Sequence, residues 1–438
     1  MSHLVRNPRI YVVRDRQLVR LDGGVLPPPG PDPSDPTTRD PLYWPYPPDS
    51  IWNMPIGAQA QLVKLGFKYN YQQTGDSPQS VQAARIGIEE ENVLVLAPDA
   101  PLRPIWEHTA GWTDQIRCDS TTGRLLRGNG SVPEEMMYQP IPAGWSTDNP
   151  AYIGSRPNMS GAVVYRDGDD LKVFETQPFH FCTDWRAVSQ FVNHTWVGDS
   201  ILYGGHGAHP DRPQQYNTPW DTPSRPESWG QGGSHGGSYM TAFGGTIRLH
   251  EVKQREIPHA LKLTWDTGMW CSGAGPHGHR WPALRADGGS GSNYGNLVDR
   301  WGFPDPPAGA KMGCLVTTSP GFNPETLETE AGKMIGRAIW RYGAYLVDGN
   351  HDAQRPYELQ WHVERSNEGI FGDVFQQEFG FRFFHKNGLH GTPSAQQLAF
   401  RRDLGKIAED FHIVNDNSPT NVGGAGPRRW QMAPPITL

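Results

Sequence analysis

"GAVVYRDGDDLKVFETQPF", residues 161–179, holds two apolar runs on either side of Asp167-Gly168-Asp169. A tight Asp-Gly turn between such runs reads as a β-hairpin. Upstream, "NVLVLAPDAP" (92–101) gives a buried strand stopped by Pro98. Downstream, "GGTIRLHEV" (244–252) and "HALKLTW" (259–265) alternate in the manner of half-buried strands. From residue 50 to about residue 320, strand and turn signals dominate, and no repeat of fixed period interrupts them. The fold class expected is mainly β.

Two helices are expected near the end. "NPETLETEAGKMIGRAIWRYGAY" (323–345) places Leu327, Ala331, Met334, Ile335, Ala338, Ile339 and Tyr342 on one face. Asn323 is its candidate cap, with Pro324 in the first turn. "TPSAQQLAFRRDLGKIAEDF" (392–411) repeats the device with Thr392 and Pro393, and lines up Leu398, Leu404, Ile407, Ala408 and Phe411. Both read as packing helices without chemistry of their own.

Composition supports a loop-rich β protein. Among 438 residues stand 51 Gly, 41 Pro and 16 Trp, with only 19% charged. Mean hydropathy is −0.61, polar for a globular chain, yet the tryptophans argue against wholesale disorder. A net charge of −7 does not build the positive field of a nucleic-acid binder. No apolar run of membrane-spanning length occurs, so no membrane insertion is expected. The first residues, "MSHLVRNPRIYVVRDRQLVRL", lack the apolar core of a signal peptide, so synthesis in a cytoplasm is expected. Cys118, Cys182, Cys271 and Cys314 show no metal-ribbon spacing and read as buried free thiols.

Four segments are expected. Residues 1–26 carry Arg6, Arg9, Arg14, Arg16 and Arg20 around "RIYVVRDRQLVRL", a small basic hairpin suited to anchoring. Residues 27–49 form a proline-rich linker, stiff and extended. Residues 50–415 make the β-rich body with its few packing helices. Residues 416–438, Gly- and Pro-rich, are expected to run extended over the surface.

Candidate chemistry concentrates in the middle. "GGSHGGS" (232–238) sets His235 between glycine pairs that permit tight turns and close approach. General acid–base work would draw on His235, His259, Tyr294, Asp287 and Asp348, if the fold brings them together. "GPHGHRWPALRADG" (275–288) offers His277, His279, Arg280, Trp281 and Arg285 as ligand contacts, with Trp265 nearby in sequence. Arginine forks suit carboxylates on acidic sugars, and tryptophan rings suit the apolar face of a sugar. "HGAHPD" gives His206, His209 and Asp211, a loop arrangement able to present two imidazoles and a carboxylate to one ion. The nucleophile elbow, Walker A and dinucleotide fingerprints do not occur, so no cofactor is expected.

"SIWNMPIG" (50–57) resembles the opening of a family of minor tail proteins of actinobacteriophages. Further stretches follow in the family's order. They are "GDDLKVFETQPF", "GGSHGGSYMTAFGGTIRLHEV", "HALKL", "RWPALRADG", "KMGCLV", "RYGAYLVD" and "VNDNSPTNVGGAGPRRWQMAPP". The resemblance spans about residues 50–430. It implies a virion protein at the tail tip or baseplate, oligomeric there, contacting the host envelope glycan. Other tail proteins would be its partners through the N-terminal element. By fold-level analogy it implies a jelly-roll or β-sandwich body. The family often has a double histidine where this chain has Ser234-His235. Two functions stay open: a structural and receptor- or glycan-binding tail protein, or a carbohydrate-active lyase or glycoside hydrolase acting on cell-wall glycan.

Overall fold

The computed structural model describes residues 11–14, 17–20, 39–67, 85–107, 135–142, 160–167, 170–176, 179–181, 187–189, 233–235, 237–273, 278–287, 290–295, 305–349, 358–383 and 393–435. Sixteen strands occur among them. In the first part of the chain these are β1 (Tyr11–Arg14), β2 (Gln17–Arg20), β3 (Leu62–Lys64), β4 (Arg85–Val95), β5 (Leu102–Glu107), β6 (Glu135–Pro140), β7 (Ser160–Asp167) and β8 (Asp170–Thr176). Then come β9 (Phe179–Phe181), β10 (Ala187–Ser189), β11 (Leu261–Trp265), β12 (Leu315–Thr317), β13 (Ala344–Gly349), β14 (Glu358–Ser366), β15 (Gly369–Ile370) and β16 (His412–Val414).

The hairpin at residues 161–179 forms as expected. β7 and β8 pair antiparallel from Gly161↔Thr176 to Asp167↔Asp170. Ala162, Val164, Leu171 and Val173 share the face turned to the main core. On the opposite face Phe179 lies so close to Gly161 that a methyl group there would stand 2.0 Å from its ring. Only glycine fits.

This hairpin is one end of a large mixed sheet, ordered β3-β16-β12-β13-β11-β14-β4-β7-β8, with β15 attached to β14. A second sheet runs β6-β5-β10-β9, and β1 pairs β2 as the expected small hairpin. The protein is mainly β. Jelly rolls are antiparallel architectures, whereas the large sheet contains parallel pairs at β11–β13, β14–β4 and β4–β7. The described residues therefore support the mainly β class without establishing a jelly roll.

"HALKLTW" becomes β11, an interior strand between β13 and β14 that is buried on both faces rather than half-buried. "GGTIRLHEV" departs from the strand reading. Ile247 bridges Val363, but Leu249–Gln254 is a helical turn, opened by Glu251 accepting from the Arg248 N–H. The alternation was that of a helix start with Leu249 and Val252 turned inward.

The late helices keep their predicted faces and shift their starts. Asn323 does cap a turn, but that turn is the short 3-10 segment Pro324–Thr326. The long helix is Glu330–Arg341, capped by Thr329. The cause is Asp403, whose carboxylate accepts from the N–H groups of Glu328 and Thr329 and from the Thr329 hydroxyl. That grip holds the chain extended between the two turns. The last helix, Ala395–Glu409, is capped by Ser394 with Gln397 closing a capping box, two residues beyond Thr392.

Two segment boundaries move. Residues 39–49, expected to be spacer, fold onto the body. Arg39 is buried and donates to the carbonyls of Trp44, Tyr46 and Pro434, while Trp44 and Tyr46 are themselves core residues. The C-terminal stretch does run over the surface, with Trp430 and Met432 exposed, but it is tied down along its length. Gly57, Ala58 and Gln59 donate to the carbonyls of Gly423, Pro427 and Ala425, and Arg429 N donates to Ile56 O. "SIWNMPIG" and the closing "GGAGPRR" are thus laced together. Trp52 anchors the lacing with its indole against Tyr345 of β13 and the backbone of Gly244 and Gly245. Residues 27–38 lie outside the described residues.

Candidate functional site

The site begins with "GGSHGGS". His235 N donates to Met240 O and Tyr239 N to His235 O, closing the loop on itself. Tyr239 takes the left-handed conformation, φ 55, that this closure needs. Such a conformation is rare for a side chain of this size and costs energy that the surroundings must supply.

The surroundings supply it through Glu175. This carboxylate leaves the core face of β8 and accepts from the N–H groups of Ser234, Ala242 and Phe243 at 3.1, 2.8 and 3.1 Å, and from the Thr241 hydroxyl. Lys262 of β11 donates to Ala242 O at 2.6 Å. Burial raises the pKa of Glu175, while these donors and Lys262 pull it back. A buried acid and a buried base thus clamp one loop from opposite sides.

Within the clamp His235 is fully buried. Its Nε2 stands 3.4 Å from His362 Nδ1 of β14, and its Nδ1 stands 4.0 Å from Asp348 Oδ2 at the end of β13. Burial, with Lys262 adding to it, holds its pKa well below the ordinary histidine value. The imidazole is neutral and packed away from solvent.

Outside the clamp the carboxylates converge. Asp348 Oδ1 accepts from Gly237 N at 3.1 Å and from Gly349 N at 2.7 Å. A methyl group on Gly237 would stand 2.3 Å from Asp287 Oδ1, and one on Gly349 2.5 Å from Asp287 Oδ2. Given a span of about 2.5 Å from N to Cβ within a residue, the two carboxylates lie within about 8 Å of each other. Tyr294 donates to Asp287 Oδ2 at 2.8 Å. Burial and the neighbouring Asp287 raise the phenol's pKa, so Tyr294 keeps its proton and serves as a donor rather than a base. Asp287 is half-buried and the Asp348 side chain 15% exposed. At the rim, Arg285 is exposed, lies over the Tyr239 ring at 4.8 Å and donates to its hydroxyl. Two carboxylates and a phenol therefore lie close together where β13 ends, and the Arg285–Tyr239 pair stands on the loops beside them.

Other candidates fall elsewhere. His259 is buried with Nε2 2.8 Å from Glu251 Oε1 and Nδ1 2.8 Å from Ala260 O, a separate buried pair. Trp265 is core, its indole N–H directed to Cys271 Sγ. Arg280 spends its guanidinium on Asn415 O, Asn417 O and Gly309 O, tying the C-terminal stretch down. Trp281 packs half-buried against the core, and His279 bridges Met312. Trp265 is sealed in the core, away from any ligand, whereas Arg280 and Trp281 stay partly exposed beside these structural contacts. Cys271 and Cys314 are buried free thiols, and burial pushes Cys314 up to about 12. His206, His209, Asp211, His277, Cys118 and Cys182 lie outside the described residues. Among the described residues no group of three or more His, Cys, Asp or Glu could hold a metal ion, and no helix is long and apolar enough to cross a membrane.

Sequence reasoning missed Glu175, Lys262 and His362. Lys262 and His362 alternate with apolar residues along their strands, a pattern that ordinarily marks a solvent face, whereas Glu175 ends the face of Leu171 and Val173, where a charge reads as the strand's exit from the core. The available signal was the length of β14, "ELQWHVERS", whose Gln360, His362 and Glu364 all share one buried face. Comparison with protein-family models, with curated proteins and with solved structures returns no match.

Proposed function

We propose that the chain is a structural minor protein of an actinobacteriophage tail, placed at the tip or baseplate, whose body engages the host's envelope glycan. The observation that carries this reading is the ordered series of stretches from "SIWNMPIG" to "GGAGPRRW". Its support is physical as well as textual. The first and last stretches of the series are hydrogen-bonded to each other, and the "GGSHGGS" and "RYGAYLVD" stretches share the His235–Asp348 junction. A series that builds one scaffold is harder to match by chance than scattered short motifs.

Glycan engagement is assigned to the rim of Tyr239, Arg285 and Asp287. An aromatic ring backed by a guanidinium offers a stacking face and hydrogen-bond donors for sugar hydroxyls. The basic hairpin of β1 and β2 would dock on other tail subunits, and the virion would be the protein's location. Two measurements test the reading. Mass spectrometry of purified virions should find this polypeptide at low copy number, and the purified protein should sediment with insoluble actinobacterial cell walls. Absence from virions, or failure to sediment, defeats it. Arg285→Ala should weaken sedimentation while leaving the thermal midpoint unchanged.

A further inference from the structure

The interlaced ends of the body carry a second exposed aromatic surface. Arg341, the last residue of the helix Glu330–Arg341, lies over the ring of Trp430 at 3.8 Å, and Arg429 lies over the ring of Trp340 at 6.0 Å. The neighbours Trp340 and Arg341 thus interlock with the neighbours Arg429 and Trp430, each arginine against the other pair's indole. Their main chains join through Ile56, whose N–H donates to Arg341 O and whose carbonyl accepts from Arg429 N. The rings are held in place while part of their surface stays open. Trp430 is 37% exposed, Met432 is 42% exposed, and Trp340 is half-buried. A tryptophan already fixed loses little freedom when a partner covers it. Tryptophan, methionine and arginine are also the residues that protein interfaces enrich.

Charge selects the partner. Arg341 is paired with Glu256, which Arg337 shares. Arg428 and Arg429 meet main-chain carbonyls instead, Arg428 those of Pro55, Val422 and Gly424, and Arg429 that of Thr318. Among the described residues neither has a carboxylate partner, and Nε and Nη2 of Arg429 have no acceptor at all. Two cations held by carbonyls alone, in a chain of net charge −7, favour a partner that brings carboxylates. We infer that Trp340, Arg429, Trp430 and Met432 dock an acidic segment of another virion subunit, a second contact beside that of the basic hairpin. The inference rests on the proposed function for its setting in the virion. The partner's carboxylates pair with the guanidinium of Arg429, and its apolar side chains cover Trp430 and Met432.

The experiment complements a phage lacking the gene with the full-length protein, wild type or variant, and counts the polypeptide per purified particle by mass spectrometry. Trp430→Ala and Arg429→Glu should each lower the count about tenfold or more, while the purified proteins melt close to the wild type. Should Arg429→Glu fail to fold, Arg429→Gln, which keeps a donor for Thr318 O, takes its place. Revertants that restore growth to Arg429→Glu should carry an acidic-to-basic change in another virion protein. Wild-type counts for a folded Trp430→Ala protein overturn the inference. Loss with Trp430→Ala but not with a folded Arg429 variant overturns the acidic partner. Compensating changes at acidic residues of this same chain would mean pairing between copies and overturn it too. Normal counts with poor adsorption to host cells would make this a host-binding surface instead of a docking one. Absence of the wild-type protein from particles defeats the proposed function itself, and the inference falls with it.

Discussion

Glu175 carries more of the central loop than any residue within the loop. Its two oxygens accept from three main-chain N–H groups and one hydroxyl, all on residues 234–243. Removing one partner of a buried, charged network leaves the others unsatisfied, at about 3–5 kcal/mol. Glu175→Ala should lose stability on that scale in denaturant melts, and Glu175→Gln should lose distinctly less because it keeps an acceptor. Equal losses from both would show that packing, and not the hydrogen bonds, holds the loop. His235 gives a pH signature. Its pKa is depressed in the folded state by burial, so below the ordinary value of 6.5 the unfolded chain takes up a proton that the folded chain refuses. Stability therefore rises with pH through the region below 6.5 and is lost on acidification. His250, depressed chiefly by burial and then by Arg248, adds in the same direction. Each contributes a slope of up to about 1.4 kcal/mol per pH unit. Urea melts at pH 5, 6 and 7 should show it, and a flat profile would contradict a neutral, buried His235.

At the scale of elements, Asp403 decides where the helix Glu330–Arg341 begins. Asp403 lies on the last helix, Ala395–Glu409, and reaches across to the N–H groups of Glu328 and Thr329. Asp403→Ala should cost more than Thr329→Ala, since it strips three donors where Thr329→Ala removes one cap, worth about 1 kcal/mol. Thermal melts rank the two, and the reverse order would place the cap energy in Thr329 itself. This contact also explains what the sequence could and could not disclose. Local signals placed the β7–β8 hairpin and the apolar faces of both late helices, because turn chemistry and periodicity act between near neighbours. The start of the helix at Glu330 depends on a carboxylate some seventy residues away, which no local pattern contains. The site divides in the same way. Asp287, Tyr294 and Asp348 were identifiable by residue type, but their meeting at Gly237 and Gly349 is a product of β13 and two loops. His259 had the same credentials and went to Glu251 instead. Lys262 and His362 were hidden by an alternation that normally means solvent, and here means a second buried layer; Glu175 was hidden at the end of an apolar face.

Over the whole molecule, the decisive feature is that the two ends of the body close on each other. Residues 39–59 and 416–435 exchange main-chain hydrogen bonds, and Arg39 bridges them with its backbone N–H on Pro435 O and its side chain on Pro434 O. Trp44 and Tyr46 fill the space beneath, Trp44 donating to Asn53 Oδ1 and Tyr46 bonded to Thr241, itself a partner of Glu175. The proline-rich stretch therefore divides at Arg39 in its mechanical role. Removing residues 1–38 takes away the basic hairpin and leaves this closure intact. Removing residues 1–49 also deletes two buried aromatic side chains and the Arg39 bridge, losses of about 3–5 kcal/mol for each large aromatic. The shorter truncation should yield a folded body with a thermal midpoint close to that of the full chain, yet fail to enter particles when it complements a phage lacking the gene. The longer truncation should unfold at markedly lower temperature or accumulate as insoluble protein. Equal stability of the two truncated proteins would mean that residues 39–49 only rest on the body. Normal incorporation of the shorter one would move the anchoring surface from the basic hairpin to the body, with the interlaced ends as the first place to seek it.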